Sequence, residues 1–199
     1  MKASKSRRSD HPVDPMFLER WSPRAFAPET MPKADLLTIL EAARWSASAF
    51  NIQPWRFVWA RRETPDWDRL LGLLVEKNRD WAKNASAIVI VLSDSLRRRE
   101  GKEDAPSGTH AFDTGLAAAS LVLQAQALGW WAHGMEGIDK ARTLEEVNAP
   151  EGYEVQVAFA LGRRGEPDDL PENLREREAP SDRLPLGAIA FEGRMAPPF

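Results

Sequence analysis

Ala47-Ser48-Ala49-Phe50-Asn51-Ile52-Gln53-Pro54-Trp55-Arg56-Phe57 lies between an amphipathic helical pattern and an alternating pattern, and so marks a helix-to-strand junction. Pro54 has no amide hydrogen and disfavours a helical Gln53, which places the break there. What remains is a turn of small residues, two carboxamides and an aromatic at the mouth of a strand. Asn51 and Gln53 each donate and accept hydrogen bonds, which suits the edge of a heterocycle carrying both amide hydrogens and carbonyls.

Upstream of the junction, Leu36, Ile39, Leu40 and Ala43 recur at three- and four-residue spacing in a helix that starts near Pro32. Before it, Asp14 is placed to cap a short helix with Pro15 at its first position, running through Phe17 and Leu18 to Arg20. Downstream, Trp55, Phe57 and Trp59 alternate with Arg56, Val58 and Ala60 in a strand. A helix is expected over 66–78 with Leu70, Leu71, Leu74 and Val75 inward, and the apolar run 87–92 suits a central strand buried on both faces. The charged run 93–108, with Arg97-Arg98-Arg99, reads as a solvated loop long enough to act as a mobile lid. A long helix over 109–128, apolar on all sides and ended by Gly129, is expected to be buried. A short strand over 130–135, a helix over 139–147 and a strand through Val155, Val157, Phe159 and Leu161 complete the pattern.

The fold class is therefore α+β, a single mixed sheet of four to five strands with helices packed on it. Residues 1–13, rich in Lys, Arg and Ser, read as a disordered leader, and 14–199 as one domain. Its last segment, 163–199, has too little apolar periodicity to form a core of its own. It either lacks fixed structure or packs on something, such as another subunit.

Composition narrows the function. Of 199 residues 43% are hydrophobic and 29% charged, enough for one proper core. The net charge of -3, with bases and acids interleaved, argues against nucleic acid as a partner. The absence of cysteine removes disulfides, thiolate metal sites and thiol nucleophiles. The stretch 114–135 has no Asp, Glu, Lys or Arg, yet its Ser120, Gln124, Gln126 and His133 argue against a membrane span. The basic start lacks the apolar stretch of a secretory signal, so the cytoplasm is the default compartment. No phosphate-loop, dinucleotide or nucleophile-elbow motif occurs, and His11, His110 and His133 lack metal-ligand spacing.

Three further groups of residues carry chemistry. Arg20, Ser22 and Arg24 put two guanidiniums and a hydroxyl on one turn, a phosphate-binding combination or else a surface charge pair with a capping serine. Asn78 sits in a polar stretch before Trp81, where it would cap a helix C-terminus. Gly134-Met135-Glu136-Gly137-Ile138-Asp139, between a strand and a helix, can aim backbone amides at a ligand. His133 beside it reads first as a structural histidine.

Arg20-Trp21-Ser22-Pro23-Arg24-Ala25-Phe26, followed by the Ala47-to-Phe57 pattern, resembles the FMN-dependent nitroreductase family, and the likeness runs from about Phe17 to Leu184. The resemblance implies an intertwined homodimer with two flavin sites and a C-terminal arm that embraces the partner. It implies FMN as cofactor, NAD(P)H as co-substrate, and ping-pong hydride transfer through flavin N5 to an electron-poor acceptor such as a nitroaromatic or quinone. No side chain need be an essential acid or base. By the same resemblance, Arg20 and Ser22 hold the phosphate and ribityl chain, Arg24 faces the pyrimidine edge and Arg183 closes on the phosphate. Asn78 touches the flavin, and the amides of Glu136 and Gly137 meet N5 and O4. Ala47, Ser48 and Ala49, with Asn51 beside them, reach the flavin of the other subunit. Two departures stand out: Trp81 and Ser181 occupy places where the family commonly has basic residues, which leaves Arg20 and Arg183 alone on the phosphate. Rival readings are a dehalogenase, enone reductase or flavin-modifying enzyme on the same scaffold, or a flavin-binding protein without turnover.

Overall fold

In the computed structural model, which describes residues 7–195, Asp14 caps helix α1 (Pro15–Glu19) by accepting from the Met16 amide at 2.9 Å. Helix α2 (Lys33–Arg44) buries Leu36, Ile39 and Ala43 along one face, as its spacing predicts. The junction residues Ala49–Asn51 form a single tight turn, and strand β1 (Trp55–Arg61) begins directly after Pro54.

The expected helix over 66–78 is two helices, α3 (Trp67–Leu71) and α4 (Glu76–Ala82). Between them Leu73 and Leu74 leave the helical path to pair with the 137–139 turn. The Asp139 amide donates to the Leu73 carbonyl at 2.9 Å, and the Val75 amide to that of Gly137 at 3.1 Å. Leu74 stays buried, but Val75 is 37% exposed instead of facing inward. Tertiary pairing has overridden local periodicity here. Asn78 consequently lies inside α4 and not at a helix end.

Strand β2 (Ala87–Asp94) is buried along its whole length. The run after it is not a loose loop: β3 (Leu96–Arg97) and β4 (Ala105–Pro106) form a small antiparallel hairpin. Arg98 anchors it, reaching the buried Asp94 carboxylate at 2.6 Å, Asp104 at 2.7 Å and the Glu151 carbonyl at 2.8 Å.

Helix α5 (His110–Ala127) follows, ended by Gly129 in the left-handed region at φ 74°. It is not buried on all sides. Asp113, Thr114, Ala117, Leu121 and Ala125 face the core, whereas Phe112, Gly115, Leu116 and Ala119 are exposed. No helix among the described residues is long and apolar enough to cross a membrane.

Strand β5 (Trp131–Met135), helix α6 (Lys140–Glu146) and strand β6 (Tyr153–Gly162) complete the domain. The four long strands run in the order β1-β2-β6-β5, and every neighbouring pair is antiparallel, so the sheet is not mixed. The continuous apolar run of β2 reflects helices on both faces instead of parallel pairing. Ala87, Val89 and Val91 pack with α2 and α5. Ile88, Ile90 and Leu92 pack with residues of α3 and α4 on the other face.

The start of the C-terminal arm belongs to this core. Gly165 donates to the Ala25 carbonyl at 2.8 Å, Ala27 to that of Arg163 at 3.0 Å, and Leu170 is 4% exposed. A one-turn helix, α7 (Glu172–Arg175), follows. Beyond it Leu184, Leu186 and Ile189 are exposed. Of the expected leader, residues 1–6 lie outside the described residues, while Arg7 is tied down by hydrogen bonds described below.

Candidate functional site

Burial alternates residue by residue along 20–25, so successive side chains lie on two sides. Trp21, Pro23 and Ala25 are buried, and Arg20, Ser22 and Arg24 face outward together. Trp21 is held edge-on against Trp131 at 6.1 Å between ring centroids, which ties the turn to β5. This alternation brings the three polar residues into the wall of one cavity of about 470 Å³, a size suited to a small ligand.

The opposite wall comes from the arm. Arg183 lines the cavity with Arg177, Ser181 and Glu176, and Arg7 joins from the N-terminal side. Five guanidiniums therefore face one space with a single carboxylate among them. Arg20 lies below its ordinary pKa, first through burial and then through repulsion by Arg183 and Arg7. Among the described residues none of the five forms an ion pair. Cations held together in this way can pair with an anionic group, and the hydroxyl of Ser22, 3.5 Å from Arg20 Nη1, can add a donor.

Arg7 went unrecognised in the sequence because it stands in a polar leader with no local pattern. Its Nε donates to the Ser181 carbonyl at 2.9 Å and its Nη1 to the Arg20 carbonyl at 2.5 Å. The backbone at 181 thus helps to fix Arg7 beside the cavity. Arg20 and Arg183 do not stand alone in the cavity wall, where Arg7, Arg24 and Arg177 join them. Arg177 was missed for a similar reason, lying in an acid-rich run that reads as solvated.

A second cavity of about 420 Å³ is lined by Lys77, Asn78, His133 and residues 134–137. Asn78 Nδ2 donates to the Gly137 carbonyl at 3.1 Å, so the carboxamide holds the turn from α4. A Cβ at Gly137 would lie 2.6 Å from that nitrogen and 2.7 Å from Val75, so a side chain there would displace the Asn78 carboxamide or the Val75 methyl. Glu136 and Gly137 line the cavity with His133, which also lines the first.

His133 joins the two spaces. Its Nδ1 lies 2.9 Å from the Pro23 carbonyl, which only accepts, so Nδ1 carries the hydrogen. Burial, then the Arg24 charge, pushes the ring down to about 4, and it is neutral at pH 7. Trp81, expected in a polar break, is instead buried in α4 with its ring 4.7 Å from His133. Trp81 and His133 thus form an aromatic–imidazole pair at the cavity.

The junction residues fall elsewhere. Ala47, Ser48, Ala49 and Asn51 line neither cavity. The Ala49 amide donates to buried Asp113 at 3.2 Å, and Gln53 turns its carboxamide back to the Asn51 carbonyl at 3.0 Å. Phe50, Asn51 and Gln53 all have φ near 53°, and Phe50 is 80% exposed with Arg99 5.7 Å from its ring. Strained, exposed residues of this kind concentrate at functional surfaces.

An antiparallel sheet between helical layers, with an arginine-walled cavity beside a glycine-bounded turn, defines an α+β protein whose cavity has the charge to attract an anionic small molecule. The Nitroreductase family model matches residues 18–72 and 64–163, and the chain belongs to that family. It is similar to a crystal structure of an oxidoreductase containing FMN, at 49% identity and a TM-score of 0.94, covering 98% of this chain and 99% of that one. A nitroreductase structure from Desulfovibrio desulfuricans in complex with FMN, itself provisionally named, matches at 25% identity and a TM-score of 0.70, covering 94% and 100% of the two chains. A Streptomyces coelicolor protein provisionally named as an NADH dehydrogenase/NAD(P)H nitroreductase is 27% identical over 180 residues, 81% of this chain and 89% of its own length.

Proposed function

We propose that this chain is an FMN-dependent NAD(P)H oxidoreductase acting as a homodimer on electron-poor acceptors such as nitroaromatics or quinones. The observation that carries the reading is the cavity in which Arg7, Arg20, Arg24 and Arg183 converge, none of them in an ion pair among the described residues. These residues fit the phosphate of FMN, and the FMN named in two similar structures supports the choice. When bound, FMN would supply the two-electron hydride chemistry at its N5.

This chain's own residues would bind and orient. Arg20, Ser22, Arg183 and Arg7 would hold the phosphate end through charge-assisted hydrogen bonds. Arg24 would place a fixed positive charge near the pyrimidine edge, where electron density accumulates on reduction. Asn78 would hold the 136–137 turn so that its backbone amides face the ring. His133, neutral and fixed at Nδ1, would keep the 20–24 turn against β5 without adding a charge.

The homodimer reading is supported by what a single chain leaves bare. Phe112, Gly115, Leu116 and Ala119 form an exposed apolar stripe on α5, and Leu184, Leu186 and Ile189 an exposed arm. Ala47, Ser48, Ala49 and Asn51, absent from both cavities of their own chain, would then complete the partner's site. Protein purified with a yellow chromophore that bleaches anaerobically with NADH or NADPH would establish the activity. A second reading, flavin binding without turnover, is favoured by buried Trp81 in place of a cation. A bound flavin that neither nicotinamide reduces would establish it instead.

A further inference from the structure

The cavity wall is made by two segments far apart in the chain, the 20–24 turn and the arm around 176–183, and one side chain joins them. The Glu178 carboxylate accepts from the Arg24 amide at 2.9 and 3.1 Å and from the Ala25 amide at 2.9 Å. Glu178 is half-buried, while its neighbours Arg177 and Ala179 line the cavity that Glu178 does not. Two consecutive amides donating to one carboxylate is a charge-assisted clamp on backbone geometry. On the other side of the same turn, His133 holds the Pro23 carbonyl.

We propose that Glu178 is a positioning residue, which locks the 20–24 turn into its anion-binding form and couples that turn to the order of the C-terminal arm. The proposal rests on the FMN reading only for the identity of the ligand. Electrostatics sharpen it, because Glu178 is a negative charge beside an anion site and close enough to Arg24 to stabilise its charge. If proximity of charge were its whole effect, removing that charge would tighten anion binding. If it positions the turn, removing it weakens binding, so the two roles predict opposite signs.

The test uses the full chain with Glu178→Gln, which removes the charge and half of the acceptor capacity, and Glu178→Asp, which keeps the charge but shortens the reach. FMN and riboflavin are titrated by fluorescence, and backbone amide hydrogen exchange is followed without ligand. Both variants should bind FMN about tenfold more weakly or worse, with a smaller loss for riboflavin. The Arg24 and Ala25 amides should exchange about tenfold faster or more, with β2 protection unchanged as the check on folding. FMN binding that is unchanged or tighter in Glu178→Gln, or unaltered exchange at Arg24 and Ala25, would overturn the proposal. A parent protein that takes no FMN would refute the cofactor reading alone, and the exchange comparison would still decide the role of Glu178.

Discussion

His133 Nδ1 donates to the carbonyl oxygen of Pro23 across 2.9 Å, linking the middle of β5 to the turn that carries Arg20, Ser22 and Arg24. The bond works only with a hydrogen on Nδ1, and the neighbouring Arg24 charge disfavours a second proton on the ring. A histidine that reads as structural in the sequence is therefore both structural and electrically constrained.

That constraint sets a pH dependence. The folded-state value of about 4 lies below the unfolded value near 6.5, so the unfolded chain takes up a proton that the folded chain refuses. Stability from this group is fully present above pH 6.5 and is lost as pH falls toward 4, by at most roughly 3 kcal/mol. His133→Gln, which keeps a neutral donor, should flatten the difference between unfolding curves at pH 7 and pH 4.5 relative to the parent. Equal pH dependence in the two proteins would remove His133 as its source.

Arg20→Ala and Arg183→Ala should each weaken FMN binding by roughly 1.5–3 kcal/mol, the scale of one lost charge-assisted contact. Riboflavin, which lacks the phosphate, should bind the parent less well than FMN yet lose little more in either variant. Mutual repulsion within the cluster adds a second expectation: without ligand, Arg20→Ala should not be less stable than the parent. Isothermal titration and urea unfolding check the two statements separately.

Arg24→Ala should behave differently, because its proposed partner is the reduced ring and not the phosphate. The variant should retain FMN, show a lower flavin midpoint potential and be reduced more slowly by NADPH or NADH. An unchanged potential in a flavin-loaded variant would take Arg24 out of the site.

Much of this arrangement was legible in the sequence because it rests on short-range rules. Pro54 and Pro15 punctuate elements by chemistry that does not depend on context, and Arg20, Ser22 and Arg24 stand within five residues of one another just outside a helix. What escaped depends on distant partners. The break between α3 and α4 exists because Leu73 and Val75 pair with Asp139 and Gly137. The anchoring of the 93–108 hairpin depends on a buried Asp94, and the antiparallel register on which strands meet. Arg7 and Glu178 enter the site from opposite ends of the chain, through contacts with turn 20–25 that no periodicity announces.

The exposed face of α5 leads to the last prediction. Ala118 is half-buried and packs against the sheet-side core, so a charge there would strain the single chain whether or not a partner exists. Ala119 is exposed, one turn from Gly115, where a Cβ would meet nothing within 4 Å. Ala119→Arg therefore leaves the isolated fold intact and keeps good helix propensity. In a homodimer packed through this stripe, however, it would bury an unpaired guanidinium, at a cost of several kcal/mol. The parent should sediment as a dimer at low micromolar concentration, and Ala119→Arg as a folded monomer. Because Ala47, Ser48 and Ala49 would serve the partner's flavin, FMN should be lost together with the dimer and not gradually. Sedimentation equilibrium with flavin absorbance detection, alongside circular dichroism for folding, measures both at once. A monomeric parent with one tightly bound FMN would refute the shared site, since every ligand contact would then come from one chain.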